Sequence, residues 1–462
     1  MTGSRGTSSF KGFVTLCLHI SYIVMKHVNE IDKHRRRSNS KVSHLDERQS
    51  IGLFRDIGSP KLRMSDRAGI HGWLYYFAAF SPHFVRAVIR MLGLNDESLL
   101  LDPFLGCGTT CVVAKSMNVP SFGVELNPLG YFVSRAKLSW NINREHVVSA
   151  LGDLKRAPNV GVKPSQEYRR WFLTGDPMLQ RTLSIGDFVL KSFSDELRYF
   201  LMAALLLTFR RIVTSKARIN PTWTPSRHKL PKLHNSLFLK MLSNQARKMI
   251  DELTLFVSTH DNRDCYSDVV YGDFLEFHHD RQFDAIITSP PYLTRLDYIM
   301  SFRLENCYLE NLDAFPRIDL RDLRNRMIGT VTVTDKLEPN DQFGESCLEV
   351  MRRIKGHDSK AASSYYYPTI VKYFEGMFNC FSKFRSLLRH GGSAAVVVQT
   401  SYFKEIEIPV STIFMEMAKN VGFTESSLIR RENVKFHRGL MDPEQRRYAP
   451  RKVLHEDVIL LR

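Results

Sequence analysis

At 462 residues, the chain is too long for one compact hydrophobic core, so we expect two domains or one large domain with insertions. A hydrophobic content of 43% and a charged content of 24% are those of an ordinary globular protein. The 65 Lys and Arg outnumber the 48 Asp and Glu, and the resulting charge of +17 favours a polyanionic partner such as nucleic acid, with a solvated basic surface as the alternative.

Residues 1–69 are predicted to be a basic, flexible extension. Residues 33–44 (KHRRRSNSKVSH) indicate either a phosphate-binding arm or a solvated tail. The apolar run at residues 13–25 is too short to span a bilayer and lacks a cleavage site, so no membrane anchor is expected. The seven cysteines are scattered without zinc-site spacing, which predicts a cytoplasmic protein that holds no metal.

The first α/β unit begins after a predicted amphipathic helix that starts at Ser81-Pro82. A short buried strand at residues 99–101 leads into a glycine-rich turn, and a helix follows from about Thr110. A second strand ends at Glu125. A strand, a glycine loop, a helix and a second strand form one βαβ unit of a parallel sheet.

The alternation of strands and helices is interrupted and then resumes. Residues 143–265 are mostly helical, whereas strands are predicted near residues 269–270 and 285–287, at 393–401 and at 455–462, with helices at about 367–388 and 411–420. We therefore predict an α/β, doubly wound Rossmann-like sheet. Its α/β domain comprises residues 70–142 and 266–462, and the helical segment 143–265 is an insertion.

The loop DPFLGCGTT (residues 102–110) is neither a P-loop nor a complete dinucleotide fingerprint. No Lys precedes its threonines, and Cys111 occupies the position of the third glycine of GxGxxG. Its glycines allow close approach of a ligand, Asp102 provides a charge for an amine, and Glu125 is placed to hold ribose hydroxyls. An amine and a ribose without polyphosphate describe S-adenosyl-L-methionine; the alternative is a tight turn without a ligand.

DPFLGCGTT followed by GVELNP resembles motifs I and II of the DNA amino-methyltransferases. The resemblance implies an S-adenosyl-L-methionine site made by the residues of these motifs, and the segment HGWLYYFAAFSPHF (residues 71–84) resembles the part of the family that closes this site. In YGDF, Asp273 resembles the acidic residue that meets the adenine amino group. The predicted cofactor-binding residues are Asp102, Phe104, Gly106, Gly108, Thr109, Thr110, Glu125 and Asp273.

The motif TSPPY (residues 288–292) ends a predicted strand with a stiff, extended loop. Pro290 and Pro291 fix the backbone, so Ser289 and the Pro290 carbonyl can present two acceptors to one amino group. Such acceptors favour the nucleophilic form of an exocyclic base amine, and Tyr292 provides a ring on which an extruded base can stack. A plain strand-ending turn is the alternative for this motif taken alone.

Ser-Pro-Pro-Tyr resembles motif IV of the same family, in which the Ser form is associated mainly with cytosine N4. The predicted catalytic residues are Ser289, Pro290, Pro291 and Tyr292. The following Asp297 and Tyr298 are candidate supports of the base pocket. The sequence contains no Pro-Cys dipeptide, the usual nucleophile loop of carbon-5 cytosine methylation, so direct transfer to nitrogen is expected.

The predicted insertion carries a strongly basic region. Residues 197–250 hold 11 Lys or Arg and no Asp or Glu. Because such side chains neutralise phosphates and an aromatic can stack, we predict that this region recognises the DNA target; an unspecialised basic face is the alternative. The predicted DNA contacts are Arg210, Arg211, Lys216, Arg218, Trp223, Arg227, Lys229 and Lys232.

The sequence therefore predicts a cytosine-N4-specific DNA methyltransferase that is nucleoid-associated. The resemblance to the family further implies a role in a restriction-modification system with a restriction endonuclease as partner. Three alternatives stay open: N6-adenine methylation of DNA, guanine-N2 methylation of RNA, and a nucleic-acid-binding protein with an inactive methyltransferase fold. The sequence does not predict the oligomeric state.

Overall fold

A computed structural model describes residues 57–76, 79–159, 177–214, 234–260, 262–293, 297–312, 318–330, 337–431 and 455–462, together with positions 161, 165, 166 and 169. All of these residues belong to one compact unit, Phe54–Arg462.

The strands of the described residues form one large sheet and one hairpin. They are β1 (Leu100–Asp102), β2 (Ser121–Glu125), β3 (Ser267–Tyr271), β4 (Phe283–Thr288), β5 (Leu388–Gln399), β6 (Ser401–Phe403), β7 (Ile406–Ile408), β8 (Ser426–Arg431) and β9 (Glu456–Leu461). Seven of them pair in the order β3-β2-β1-β4-β5-β9-β8, and β6 pairs with β7. Within the large sheet β9 alone runs against the other strands.

Helices connect these strands throughout the described ranges. They are α1 (Pro82–Met91), α2 (Thr109–Ser116), α3 (Pro128–Leu138), α4 (Arg144–Arg156), α5 (Pro177–Ser192), α6 (Asp195–Thr214), α7 (Asn235–Ser258), α8 (Tyr298–Ser301), α9 (Arg303–Leu309), α10 (Leu320–Arg326), α11 (Glu345–Lys355), α12 (Tyr367–Leu387) and α13 (Val410–Asn420). None of the described helices is long and apolar enough to cross a lipid bilayer.

Both faces of the large sheet are buried. Neighbouring residues of a strand project to opposite faces, so each strand contributes to two cores. On one side, Leu101 and Ile286 share a hydrophobic core with α11, α12 and α13. On the other side, Leu100 and Ala285 share a core with α1 and α2. The predicted doubly wound, Rossmann-like α/β fold with a mostly helical insertion is confirmed.

The helices of residues 144–258 pack together with α3. Phe132 of α3 and Phe200 of α6 lie in the same buried core, to which α4, α5 and α7 also contribute. The Tyr131 hydroxyl donates to that of Tyr199 at 3.2 Å. On α7, Glu252 accepts a hydrogen bond of 2.8 Å from the Trp73 indole. The insertion helices are thus fixed against the part of the sheet that follows β2.

The structure adds elements for which no pattern was recognised. Helices α8 and α9 have only four and seven residues, too few to display a helical period in the sequence. Strand β9 pairs with β5 in antiparallel orientation. Patterns in the sequence do not indicate the direction of a strand relative to its neighbour.

The carboxyl ends of four neighbouring strands meet at one edge of the sheet. β1, β2 and β4 end at Asp102, Glu125 and Thr288, and Asp273 lies two residues after the end of β3. Ligands of open α/β sheets bind beyond this edge.

Candidate active site

A cleft lies at this edge and contains most of the predicted site residues. Its free volume, counted to the open mouth, is about 870 Å³. Seven predicted residues line it: Phe104, Gly106, Thr109, Glu125, Asp273, Ser289 and Pro291. The predicted residues Asp102, Gly108, Thr110, Pro290 and Tyr292 are not part of the lining. The segment predicted to close the site contributes Tyr76, Ala79 and Phe80 to the wall.

Two glycines shape the loop between β1 and α2. Gly106 has φ +60°, and a Cβ there would lie 3.1 Å from Cε1 of Tyr76. Gly108 has φ +88° at the N-cap of α2, and its Cβ would lie 2.9 Å from Oγ of Ser134. Both positions therefore need glycine, for the left-handed backbone and for the missing side chain.

Asp102 fastens the glycine loop to the end of β4. Its side chain is buried, with 1% exposed, and Oδ1 accepts hydrogen bonds from the Phe104 amide at 3.1 Å and the Thr288 hydroxyl at 2.7 Å. Oδ2 accepts the Thr110 hydroxyl at 2.6 Å. Burial raises the pKa of Asp102 to about 6, although these hydrogen bonds act to lower it. The predicted cofactor loop and target loop thus share one carboxyl group.

Glu125 stands at the end of β2 and lines the cleft. Its Oε2 accepts the Gly106 amide at 2.5 Å and its Oε1 accepts the Asn127 amide at 2.7 Å. Burial raises the pKa of Glu125 to about 8 against the effect of both amides. Each carboxylate oxygen has a second lone pair, so the residue can still accept hydrogen bonds from a ligand's hydroxyls.

Asp273 occupies the neighbouring position beyond β3, where Arg326 of α10 reaches it. Its Oδ1 accepts the Leu275 amide at 2.9 Å, and its Oδ2 lies 3.7 Å from the buried Nε of Arg326. Arg326 also lines the cleft and forms ion pairs with Glu276 and, at 3.6 Å, with Asp322. Burial raises the pKa of Asp273, and the charge of Arg326 opposes this.

Ser289 begins the proline loop after β4 and is half-buried. Its hydroxyl donates to the Val397 carbonyl of β5 at 3.3 Å, so its lone pairs remain able to accept. The described backbone contains no cis peptide bond, so both proline bonds of the loop are trans. The Pro291 carbonyl accepts a hydrogen bond from the hydroxyl of Tyr373 at 3.0 Å.

An aromatic stack forms the wall of the cleft next to the glycine loop. The ring of Tyr76 lies between Tyr298, at 5.6 Å and 17°, and Phe302, at 5.4 Å and 25°. Tyr76 and Tyr298 both line the cleft. The stack gives this side of the cleft an aromatic, apolar wall.

Asp297 fixes the helix that carries Tyr298. Its Oδ1 accepts the Met300 amide at 2.8 Å as the N-cap of α8, and its Oδ2 accepts Nε of Arg324 at 2.9 Å. The Tyr298 carbonyl accepts the side-chain amide of Asn127 at 3.2 Å. These bonds connect the segment after β4 to the end of β2.

Two of the eight predicted DNA contacts lie within the described residues, at the end of α6. Arg211 is exposed, whereas Arg210 donates to Glu305 at 2.7 Å and its guanidinium lies 4.8 Å from the Phe302 ring centre. Lys216, Arg218, Trp223, Arg227, Lys229 and Lys232 lie outside the described residues.

Several residues of this site gave little signal in the sequence. Thr288 directly precedes the recognised Ser-Pro-Pro-Tyr, and Asn127 lies within the recognised GVELNP, so proximity to a motif could have indicated both. Arg326 and Tyr373 follow Pro291 by 35 and 82 residues, in segments without a motif. Their contribution follows from tertiary contacts alone.

The residues of the cleft fit S-adenosyl-L-methionine. The carboxyl oxygens of Glu125 and Asp273 can accept hydrogen bonds from the hydroxyl and amino groups of a nucleoside, and Phe104 provides an apolar wall. A side chain at Gly106 would lie 3.1 Å from the Tyr76 ring, so glycine at this position allows the loop to pack closely against that wall of the cleft. The loop has no Lys of the P-loop kind, in accordance with a ligand that lacks a polyphosphate.

Comparisons with known proteins agree with this geometry. The sequence model of a family described as DNA methylase matches residues 26–130, which include the glycine loop and Glu125. Type II methyltransferase M.BsoBI of Geobacillus stearothermophilus is 23% identical over 406 residues, 77% of this chain and 78% of its own. Type II methyltransferase M.MvaI of Kocuria varians is 22% identical over 424 residues, 86% of this chain and 89% of its own. Type II methyltransferase M.AvaI of Nostoc is 22% identical over 391 residues, 77% of this chain and 80% of its own.

Proposed function

Because the chain belongs to the DNA amino-methyltransferase family, we propose that it methylates the exocyclic N4 amine of cytosine in a base turned out of the double helix. Its coarser activity is that of a site-specific DNA methyltransferase, and its cofactor is S-adenosyl-L-methionine. The choice of cytosine rests on one residue, Ser289.

The residues that would hold the cofactor line the cleft at the ends of β1, β2 and β3. We assign the ribose to Glu125, the adenine amino group to Asp273, and the remaining contacts to Phe104, Gly106 and Thr109. Asp102, Gly108 and Thr110 do not line the cleft and instead stabilise the conformation of this loop. When bound, the cofactor provides an electrophilic methyl group on a positively charged sulfur.

Ser289 is suited to accept a hydrogen bond from an amine. Its own proton is directed to the Val397 carbonyl, which leaves the oxygen lone pairs for a ligand. Together with the Pro290 carbonyl, it can bind both hydrogens of one amino group and hold the nitrogen lone pair toward the methyl donor. Tyr292 is half-buried next to this pair, and we assign it the stacking of the extruded base.

The contact with Val397 also bears on why this position holds Ser. An ionised carboxylate is an acceptor only, and an Asp at this place would put its oxygen against the Val397 carbonyl oxygen. Two acceptors facing each other repel, so this site favours a hydroxyl. In the family, Ser-Pro-Pro-Tyr is associated mainly with cytosine N4, and this supports the choice of base.

The larger parts of the chain have different roles in this reaction. Residues 70–142 and 266–462 form the catalytic domain, residues 143–265 recognise the target sequence, and residues 1–69 form a basic extension. The three relatives are named Type II methyltransferases, and we propose that this chain likewise protects its recognition sequence from a partner restriction endonuclease on the nucleoid.

The test identifies the product directly. The protein is incubated with isotopically labelled cofactor and unmethylated DNA, the DNA is digested to nucleosides, and the methylated nucleoside is identified by mass spectrometry. N4-methylcytosine is expected. N6-methyladenine would overturn the choice of base, and label on tRNA without label on DNA would overturn the DNA activity.

Ser289→Ala connects this product to the proposed residue. Loss of one acceptor should lower the rate of methyl transfer by about tenfold or more and leave cofactor affinity nearly unchanged. Ser184→Ala is the matched control, because it removes a buried hydroxyl that donates to the Gln180 carbonyl outside the cleft lining. Equal loss of rate and cofactor affinity in Ser289→Ala would contradict the assigned role.

A further inference from the structure

The proline loop after β4 is held by hydroxyl groups from distant parts of the chain. Pro290 and Pro291 have no N–H, so this stretch cannot be fixed by its own backbone donors. The structure instead fixes two carbonyls: Pro291 accepts the Tyr373 hydroxyl at 3.0 Å and Leu293 accepts the Ser401 hydroxyl at 3.4 Å. Tyr373 lies in α12 and Ser401 in β6.

We propose that Tyr373 is a positioning residue for methyl transfer, which sets the place of the Ser289 and Pro290 acceptors through its hydrogen bond to Pro291. This inference rests on the proposed function of Ser289 and extends it to a residue outside the cleft lining.

The packing around Tyr373 restricts the movement of its side chain. Its side chain is buried, with 2% exposed, and its ring stacks on Phe414 at 6.3 Å and 19°. A second ring, Phe374, contacts it edge to face at 5.4 Å. Burial raises the pKa of the Tyr373 hydroxyl well above its ordinary value, so the group remains a protonated donor. A donor of this kind cannot easily move away from its carbonyl.

The acceptor pair lies between two fixed points. On one side, Ser289 donates to Val397 of β5 at 3.3 Å; on the other, Pro291 is held by Tyr373. The Pro290 carbonyl is in the bond between them, and both flanking residues line the cleft. Loss of either point lets the acceptors shift relative to the reacting nitrogen, and rates of transfer are sensitive to such shifts.

The test is Tyr373→Phe, which removes one oxygen atom and keeps the ring. In single-turnover experiments we expect the rate constant of methyl transfer to fall about fivefold, as the loss of one neutral hydrogen bond predicts. The cofactor dissociation constant and the KM for DNA should change by less than about twofold, because Tyr373 does not itself line the cleft.

Tyr308→Phe is the matched control. The Tyr308 hydroxyl is also buried and donates to a backbone carbonyl, that of Thr182 at 2.6 Å, but it lies away from the cleft lining. This variant should lower the melting temperature to a similar extent and leave the transfer rate constant unchanged. An equal rate loss in both variants would overturn the proposal, since a general loosening of the core would explain it.

An unchanged transfer rate constant in Tyr373→Phe would also overturn the proposal. If that variant does not fold, Ser401→Ala decides, because it removes the second hydroxyl from the same loop: a slower transfer with unchanged cofactor affinity supports the proposal, and an unchanged rate overturns it. The rates are compared on whichever base the wild-type protein methylates. A product other than N4-methylcytosine would therefore refute the base assignment without deciding the role of Tyr373.

Discussion

The Asp102 carboxyl group forms hydrogen bonds inside the protein and does not line the cleft. Its two oxygens accept hydrogen bonds from Phe104, Thr110 and Thr288, which lie in the glycine loop, in α2 and in β4. A buried carboxyl with several donors can join segments that have no backbone pairing to each other. Asp102 thereby fixes the position of the cofactor loop relative to the target loop.

Asp102→Asn should change how stability depends on pH. Burial raises the pKa of Asp102 from 3.8 to about 6 in the folded protein. Between these values the folded state keeps a proton that the unfolded state has lost, so the stability contributed by this proton is present below pH 3.8 and is lost as pH rises to 6. The free energy of unfolding of the wild type should therefore fall by about 3 kcal/mol relative to Asp102→Asn over this interval.

Urea unfolding of both proteins between about pH 4 and pH 7 measures this difference. Groups other than Asp102 are shared and cancel in the comparison. A difference that stays constant, or one that rises with pH, would mean that Asp102 is ionised throughout and that its hydrogen bonds outweigh its burial.

Helix α6 connects the insertion to the active site. At its last turns, Arg210 reaches Glu305 of α9, whose side chain is only 2% exposed, and its guanidinium lies over Phe302. Phe302 in turn stacks on Tyr76 of the cleft wall. The next residue, Arg211, is exposed. Two adjacent arginines, both predicted to contact DNA, thus have different surroundings, which makes them separable by mutation.

Arg210→Met should destabilise the protein by about 3 to 5 kcal/mol, because it leaves the buried Glu305 carboxylate without its cation. Arg211→Gln should change stability by less than about 0.5 kcal/mol and weaken DNA binding. Chemical unfolding and DNA titration of each variant test both statements.

The double variant Arg210→Met, Glu305→Met serves as the control for this pair. Replacement of both charges should restore most of the stability, because the buried Glu305 carboxylate is removed together with the guanidinium that pairs with it. If Arg210→Met alone is as stable as the wild type, the ion pair does not anchor α6.

For the whole molecule, the charge of +17 is the property that most concerns DNA. Eleven of the basic residues lie between positions 197 and 250, a stretch that itself contains no Asp or Glu. The catalytic cleft, in contrast, contains the carboxyl groups of Glu125 and Asp273. We infer that phosphate binding and chemistry depend on different parts of the chain.

Simultaneous replacement of Lys216, Arg218, Arg227, Lys229 and Lys232 by Gln should reduce the salt dependence of DNA binding. Each phosphate that a removed cation had neutralised lowers the slope of log K against log salt by about 0.9, so five such phosphates lower it by up to about 4.5. The measurement is DNA affinity at several salt concentrations, with cofactor affinity as the control. An unchanged slope would exclude these five residues from phosphate binding.

The sequence alone determined the fold class and the place of the main motifs, because these signals are local. Apolar runs of strand length, the glycine loop of residues 102–110 and Ser-Pro-Pro-Tyr each occupy fewer than about ten consecutive residues. The backbone freedom of Gly106 and Gly108, and the stiffness of Pro290 and Pro291, belong to the residues themselves. The order of these motifs then indicated which strand ends share one edge of the sheet.

The tertiary structure decided which side chains hold those motifs in place. Thr288 meets Asp102 across 186 positions, and Tyr373 meets Pro291 across 82. It also decided that Arg210 pairs with Glu305 while its neighbour is exposed. A hydrogen bond or ion pair requires only that two groups come within about 3 Å, and sequence spacing does not encode that distance for residues brought together by packing.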